Sequence, residues 1–323
     1  MIALLHRLKA RFAPFGTSGL ETTLVRLGIA LAVWTLFPLQ TYPSEPHPNG
    51  LARWLPGDGN FTWLHNPQVM VVCQWLMAAA LVLYVIHRFA WLAYPILAGL
   101  MICSGTLTNS QSAEVTHHSQ LMTLVLLTQA IWYFTGWRHK RITKADFEAP
   151  ARWHQLAFFF SMQIIMAGYM VSVVSKMVYS DGKWIAQASN IPVQLEKNRL
   201  SDYYNTAGMQ TATTDAAKDG WIATLDLPGK TQSLFIANPN IARAAMTTGM
   251  LLEAFCFLAL LGRRTALVYG LLLILFHLVI AWTMNLTFTY HIILLGLYFV
   301  GLPYWITRWL PDAVKNHKVF KGG

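Results

Sequence analysis

Residues 265–286 read TALVYGLLLILFHLVIAWTMNL, a run without Asp, Glu, Lys or Arg and with one histidine, His277. About 30 Å of hydrocarbon is crossed at about 1.5 Å per residue, so a spanning helix needs roughly 20 mainly apolar residues. This stretch meets that need unaided. Seven more runs do so near residues 22–40, 68–87, 91–108, 115–137, 155–179, 242–261 and 287–307. Backbone groups in lipid are satisfied only by helices or by a closed barrel, and these runs lack the alternating pattern of barrel strands. The expected fold is therefore all-α, a polytopic transmembrane bundle of eight helices whose last two form a tight antiparallel hairpin.

Composition agrees. Hydrophobic residues make up 55% of the 323 and charged residues 12%, with a mean hydropathy of +0.40, well outside the soluble range. Disorder, a coiled coil, a collagen-like chain and a disulfide-dense module are excluded. The 13 Trp, 17 Phe and 12 Tyr suit membrane interfaces, where amphipathic rings collect. A net charge of +10 could suggest nucleic acid, but the basic residues are spread over many segments instead of one patch. They read as topology. With a cytoplasmic amino terminus, the inner segments take Arg7, Lys9 and Arg11, Arg88, the cluster from Arg138 to Arg152, Arg263 and Arg264, and Arg308 to Lys321, whereas the short outer loops hold only Arg53. This bias predicts that both termini are cytoplasmic.

Residues 1–20 are expected to form an interfacial amphipathic segment that is not cleaved, because no small-residue cleavage site follows them. The bundle occupies 21–309 and a cytoplasmic tail 310–323. Two outer segments stand out. Residues 41–67, rich in Pro, Gly, Trp and Asn, suit an ordered cap. Residues 180–241 are long enough for a lid or partner site, with a predicted helix around 193–205. Cys73, Cys103 and Cys256 fall within spans without a CxxC or paired pattern, which points to core residues.

Ionisable residues inside spans are costly and count as site hypotheses. Arg26 lies one turn into the first span. His117 and His118 open the fourth, Lys176 is near the outer end of the fifth, and Glu253, His277 and His291 lie in the last three. Apart from Arg26, they converge on the outer half of the bundle, which predicts a polar cavity open to the outer compartment. A buried carboxylate and imidazole pair between Glu253 and His277 is one reading; a structural ion pair between helices is another. Desolvation could turn Lys176 into a usable base, whereas snorkelling to the headgroups is its structural alternative. His117 and His118 could serve the site or face the water boundary, and Arg26 could clamp substrate or hold structure. No HxxxH or ExxH spacing supports a metal, and none is predicted. GxSxG, P-loop and Rossmann patterns are absent.

The stretches THHSQLMTLVLLTQ (116–129), AGYMVSVVSKMVYSDGKW (167–184), GMLLEAFCFLALLGRRT (249–265) and LFHLVIAWTMNLTF (275–288), with LVRLGIALAVW (24–34) before them, resemble in order the membrane portion of the vitamin K-dependent gamma-carboxylases and their bacterial HTTM relatives. The resemblance implies a quinone or hydroquinone cofactor, with Lys176 as the base that engages it and His118 in the same active site. His277 matches the family's later-span histidine and Glu253 its acidic residue. The implied chemistry is deprotonation of the hydroquinone, reaction with O2 to a strongly basic alkoxide, proton removal from a substrate carbon and addition of CO2. A water-excluding pocket suits that chemistry.

No counterpart is expected of the large soluble domain that follows the membrane portion in the animal enzymes, so the expected substrate is a secreted peptide or protein at the outer face, or a lipid. Expected surroundings are membrane lipids, in a bacterial inner membrane with the pocket facing the periplasm. The alternative is a non-catalytic membrane anchor, comparable to the DoxX-like subunits, binding a partner through 180–241. A transporter is disfavoured because no pair of Gly/Pro-interrupted spans sits at corresponding positions in two halves.

Overall fold

Ser18 begins the first helix with a reciprocal cap. Its hydroxyl accepts from the Glu21 backbone N–H at 3.1 Å, and the Glu21 carboxylate accepts from the Ser18 N–H at 3.4 Å, so two of the donors that a helix start orphans are satisfied. The next helix starts on Asn66, whose side chain accepts from the Gln68 N–H at 2.9 Å, with Pro67 in the first turn where its missing N–H does no harm. In this computed structural model the residues described are 18–37, 66–110, 119–143, 150–187, 237–284 and 288–311. The expected cap at 41–65, the interfacial segment up to 17, most of the lid at 180–241 with its predicted helix, and the tail from 312 lie outside them.

Among the described residues every regular element is helical. They are α1 (Gly19–Leu36), α2 (Pro67–Val85), α3 (Ala90–Ser110), α4 (Gln120–Thr143), α5 (Pro150–Tyr179), a short α6 (Trp184–Gln187), α7 (Pro239–Ala254), α8 (Arg263–Met284), α9 (Thr289–Leu295) and α10 (Leu302–Trp309). A 3-10 segment, Cys256–Leu261, follows α7, and a π-turn, Gly296–Val300, joins α9 to α10. Four helical stretches are long and apolar enough to cross a membrane, 19–36, 67–85, 153–179 and 263–281. Their outward faces remain apolar. On α8, Leu271 and Leu275 are 51% and 54% exposed while Leu273 is 0% exposed. Oily side chains turned outward along a helix favour lipid as the surrounding solvent.

Two expectations about the spans are corrected. The last run is not one straight helix: it bends by 53° at Gly301, whose left-handed backbone (φ 68°, ψ 42°) few residues other than glycine adopt. Pro303 then sits in the first turn of α10, so 289–300 and 302–309 form a broken span or a re-entrant pair. The second run ends at Val85, ahead of a turn in which His87 (φ 56°) and Phe89 (φ 50°) reverse the chain. Cys73 and Cys256 are buried as expected, and Cys103 is half-buried.

The chain divides into two compact units. The first comprises 1–168, 257–270 and 289–323; the second comprises Tyr169–Cys256 and Leu271–Phe288. In the first, α1 packs on α2, α2 on α3 and α3 on α4, with α9 and α10 returning against α1. Arg263 ties these ends together. Its guanidinium donates to both Glu21 carboxylate oxygens, at 2.9 and 3.2 Å, and lies 4.2 Å from the centre of the Tyr304 ring. In the second unit α6 packs on α7.

Candidate functional site

The second unit gathers three of the residues singled out above. Tyr169, Ser172 and Lys176 recur at helical spacing along one face of α5. Lys176 Nζ donates to Glu253 Oε2 at 2.5 Å, and the Ser172 hydroxyl donates to the same oxygen at 3.5 Å. Glu253, from α7, therefore takes Lys176 as its partner and not His277. Two turns away from Lys176, the Tyr169 hydroxyl and His277 Nε2 share a hydrogen bond of 2.7 Å. Aromatic rings flank the line: Phe288 and Phe276 lie 4.7 and 5.7 Å from the His277 ring, and Lys176 Nζ stands 5.3 Å from the centre of the Trp184 ring. Exposure is uneven, with the Lys176 side chain 24% exposed and that of Glu253 6%. The carboxylate is buried while the ammonium borders the outside of the helix pair.

Arg26 and His291 belong to the first unit, on α1 and α9. His117 and His118 lie outside the described residues. Among those described, no three His, Cys, Asp or Glu side chains come together as metal ligands.

Sequence reading missed a second polar centre, in the first unit. Gln129 of α4 accepts from the Tyr84 hydroxyl at 3.0 Å and donates to the Tyr298 and Ser161 hydroxyls at 2.7 and 3.1 Å. Tyr133 bonds His154 Nδ1 at 2.8 Å, Tyr94 bonds His87 Nδ1 at 3.2 Å, and the two imidazoles lie 4.5 Å apart. The available signal was Gln129 itself, an amide in an apolar run, which must find partners when buried.

His87 lies in the turn after α2, where burial first, then the Arg26 charge and His154, hold its imidazole far below its usual range, at about 2. The folded protein therefore refuses a proton that the unfolded chain accepts at about 6.5. Stability is independent of this group above about pH 6.5 and is lost progressively as pH falls from there toward the folded value. Melting curves in detergent between pH 7.5 and 5 should show a shallower acid decline for His87→Gln than for the wild type. Parallel curves would rule out the neutral buried imidazole.

Among the described residues the protein is all-helical, and several of its helices are long and apolar enough to cross a membrane, which fits an integral multi-pass membrane protein. No family model matches it, no curated protein matches it, and no solved structure matches it.

Proposed function

We propose that this protein is an integral membrane enzyme of the vitamin K-dependent carboxylase-like type, using a hydroquinone beside Lys176 to modify a peptide or lipid at the outer face of a bacterial inner membrane. The observation that carries the reading is the bonded pair Lys176–Glu253, with Tyr169–His277 two turns away along the same face of α5. With Lys176 as the free amine, it would take the proton of an acidic hydroxyl, and the Glu253 carboxylate would compensate the ammonium that forms. The phenol and imidazole offer a second donor and acceptor, and Phe276, Phe288 and Trp184 offer ring faces. These donors and rings fit a quinol. When bound, the hydroquinone would supply the electrons for oxygen activation, and CO2 is a co-substrate in the carboxylating form of this reading.

His118 joins the site on the family resemblance alone. In this reading eight spans cross the membrane with both termini cytoplasmic. The support is the four long apolar helices, the broken pair after residue 289, the shorter apolar helix 90–106, and the basic residues concentrated in alternate loops.

Mass spectrometry of lipids extracted from the purified full-length protein tests the proposal. A co-purifying quinone is expected in the wild type, depleted by about ten-fold or more in Lys176→Ala, as loss of one charge-assisted contact implies. His118→Ala should behave likewise, with both variants folded. A wild type from its native membrane that carries no quinone would sink the reading and leave a partner-binding membrane anchor.

A further inference from the structure

Arg26 is buried in the first unit at 7% exposure, yet no carboxylate among the described residues pairs with its charge. Glu21, the carboxylate nearest in sequence, is taken by Arg263. Arg26 Nη2 donates to the Thr23 hydroxyl at 2.9 Å. Nε and Nη1 have no partner in hydrogen-bond geometry among the described residues, the Tyr94 hydroxyl being the polar group set against the guanidinium, and between them they carry three of its five N–H donors. Arg26 lines a cavity of about 30 Å³ together with Tyr84, Tyr94, Tyr133, Tyr298, Gln129 and His154, and no Asp or Glu is among the lining residues. On common measures that is room for about two waters.

The phenols around the cavity are held by hydrogen bonds. Gln129 fixes Tyr84 and Tyr298, and the imidazoles fix Tyr133 and Tyr94. Polar groups locked in this way form a preorganised shell. The shell carries one positive charge and no negative one, and water could satisfy the N–H groups but could not balance the charge. A planar oxyanion does both, since its two oxygens match the guanidinium fork.

We propose that the Arg26 cavity is a binding site for a carboxylate group, separate from the Lys176–Glu253 centre and independent of the function assigned to it. The cavity volume limits the buried part to little more than the carboxylate itself. The ligand is either a small free carboxylate or the terminal carboxylate of a longer chain.

Isothermal titration of the full-length protein in detergent, at constant ionic strength, separates these sources. The probes are formate, acetate and hexanoate, with chloride as a non-planar control. Saturable binding of formate and acetate identifies a free small anion; binding of hexanoate alone identifies a chain end. In either case Arg26→Gln should weaken binding by about ten-fold or more, and Tyr94→Phe or Tyr133→Phe should weaken it by about three-fold or more, as the loss of charged and neutral hydrogen bonds implies. Arg26→Lys keeps the charge but loses the planar fork, so it should bind chloride no worse and carboxylates less well. That variant and the phenylalanine variants keep the test readable if Arg26→Gln does not fold. The proposal is overturned if the wild type binds none of the three carboxylates, or if its affinity is within two-fold in Arg26→Lys and in both phenylalanine variants.

Discussion

Lys176→Met is expected to destabilise the protein by about 3 kcal/mol, and Glu253→Gln by only about 1 kcal/mol, because breaking a buried pair leaves the surviving partner uncompensated. The asymmetry follows from exposure. Glu253, at 6%, would be left with the weak 3.5 Å bond from Ser172, whereas Lys176, at 24%, can swing its ammonium along its stem toward water. The double variant Lys176→Met/Glu253→Leu should recover much of the loss, since an apolar pair of similar volume removes both desolvation penalties. Denaturation in micelles, arranged as a double-mutant cycle, measures the coupling. Additive losses, with no recovery in the double variant, would show that the pair contributes nothing. The same protein also serves the functional question: a well-folded double variant without activity would assign the pair to chemistry, and an active one would assign it to structure alone.

Gly270→Ala is expected to destabilise the protein although it adds a single methyl group. In an open helix the change would stabilise by about 1 kcal/mol. Here a Cβ on residue 270 would stand 2.8 Å from Phe299 Cβ and 2.9 Å from the Val300 backbone nitrogen. These atoms belong to the π-turn ahead of Gly301 and cannot rotate aside, so overpacking wins and the net loss should be about 1–3 kcal/mol. Gly28→Ala provides the comparison, because its Cβ would meet only the Leu297 side chain, at 2.7 Å and beyond, whose tips can move. Melting temperatures should rank wild type, Gly28→Ala, Gly270→Ala in descending order. A Gly270→Ala protein that melts higher than the wild type would refute the close approach of α8 to the π-turn. Small residues where backbones meet are the usual means of helix association in lipid.

The sequence by itself determined the helices and their apolar faces. Span length, the Ser18–Glu21 cap and the Asn66–Pro67 start are local properties, settled by residues within a turn or two of each other. It also marked Lys176, Glu253, His277 and Arg26 as polar groups in apolar runs. Tertiary structure alone decided what each of them touches. Glu253 could have paired with His277 on the following helix but takes Lys176, 77 residues earlier, and His277 takes Tyr169, 108 residues earlier. Gln129 and Tyr298 meet across 169 residues. The helical period tells which face of a helix is polar, and says nothing about which neighbour that face will meet. The break at Gly301 escaped for a related reason. Hydropathy sums over a window and is blind to a single left-handed glycine, a conformation open to that residue anywhere and selected here by the packing of the turn against α1 and α8.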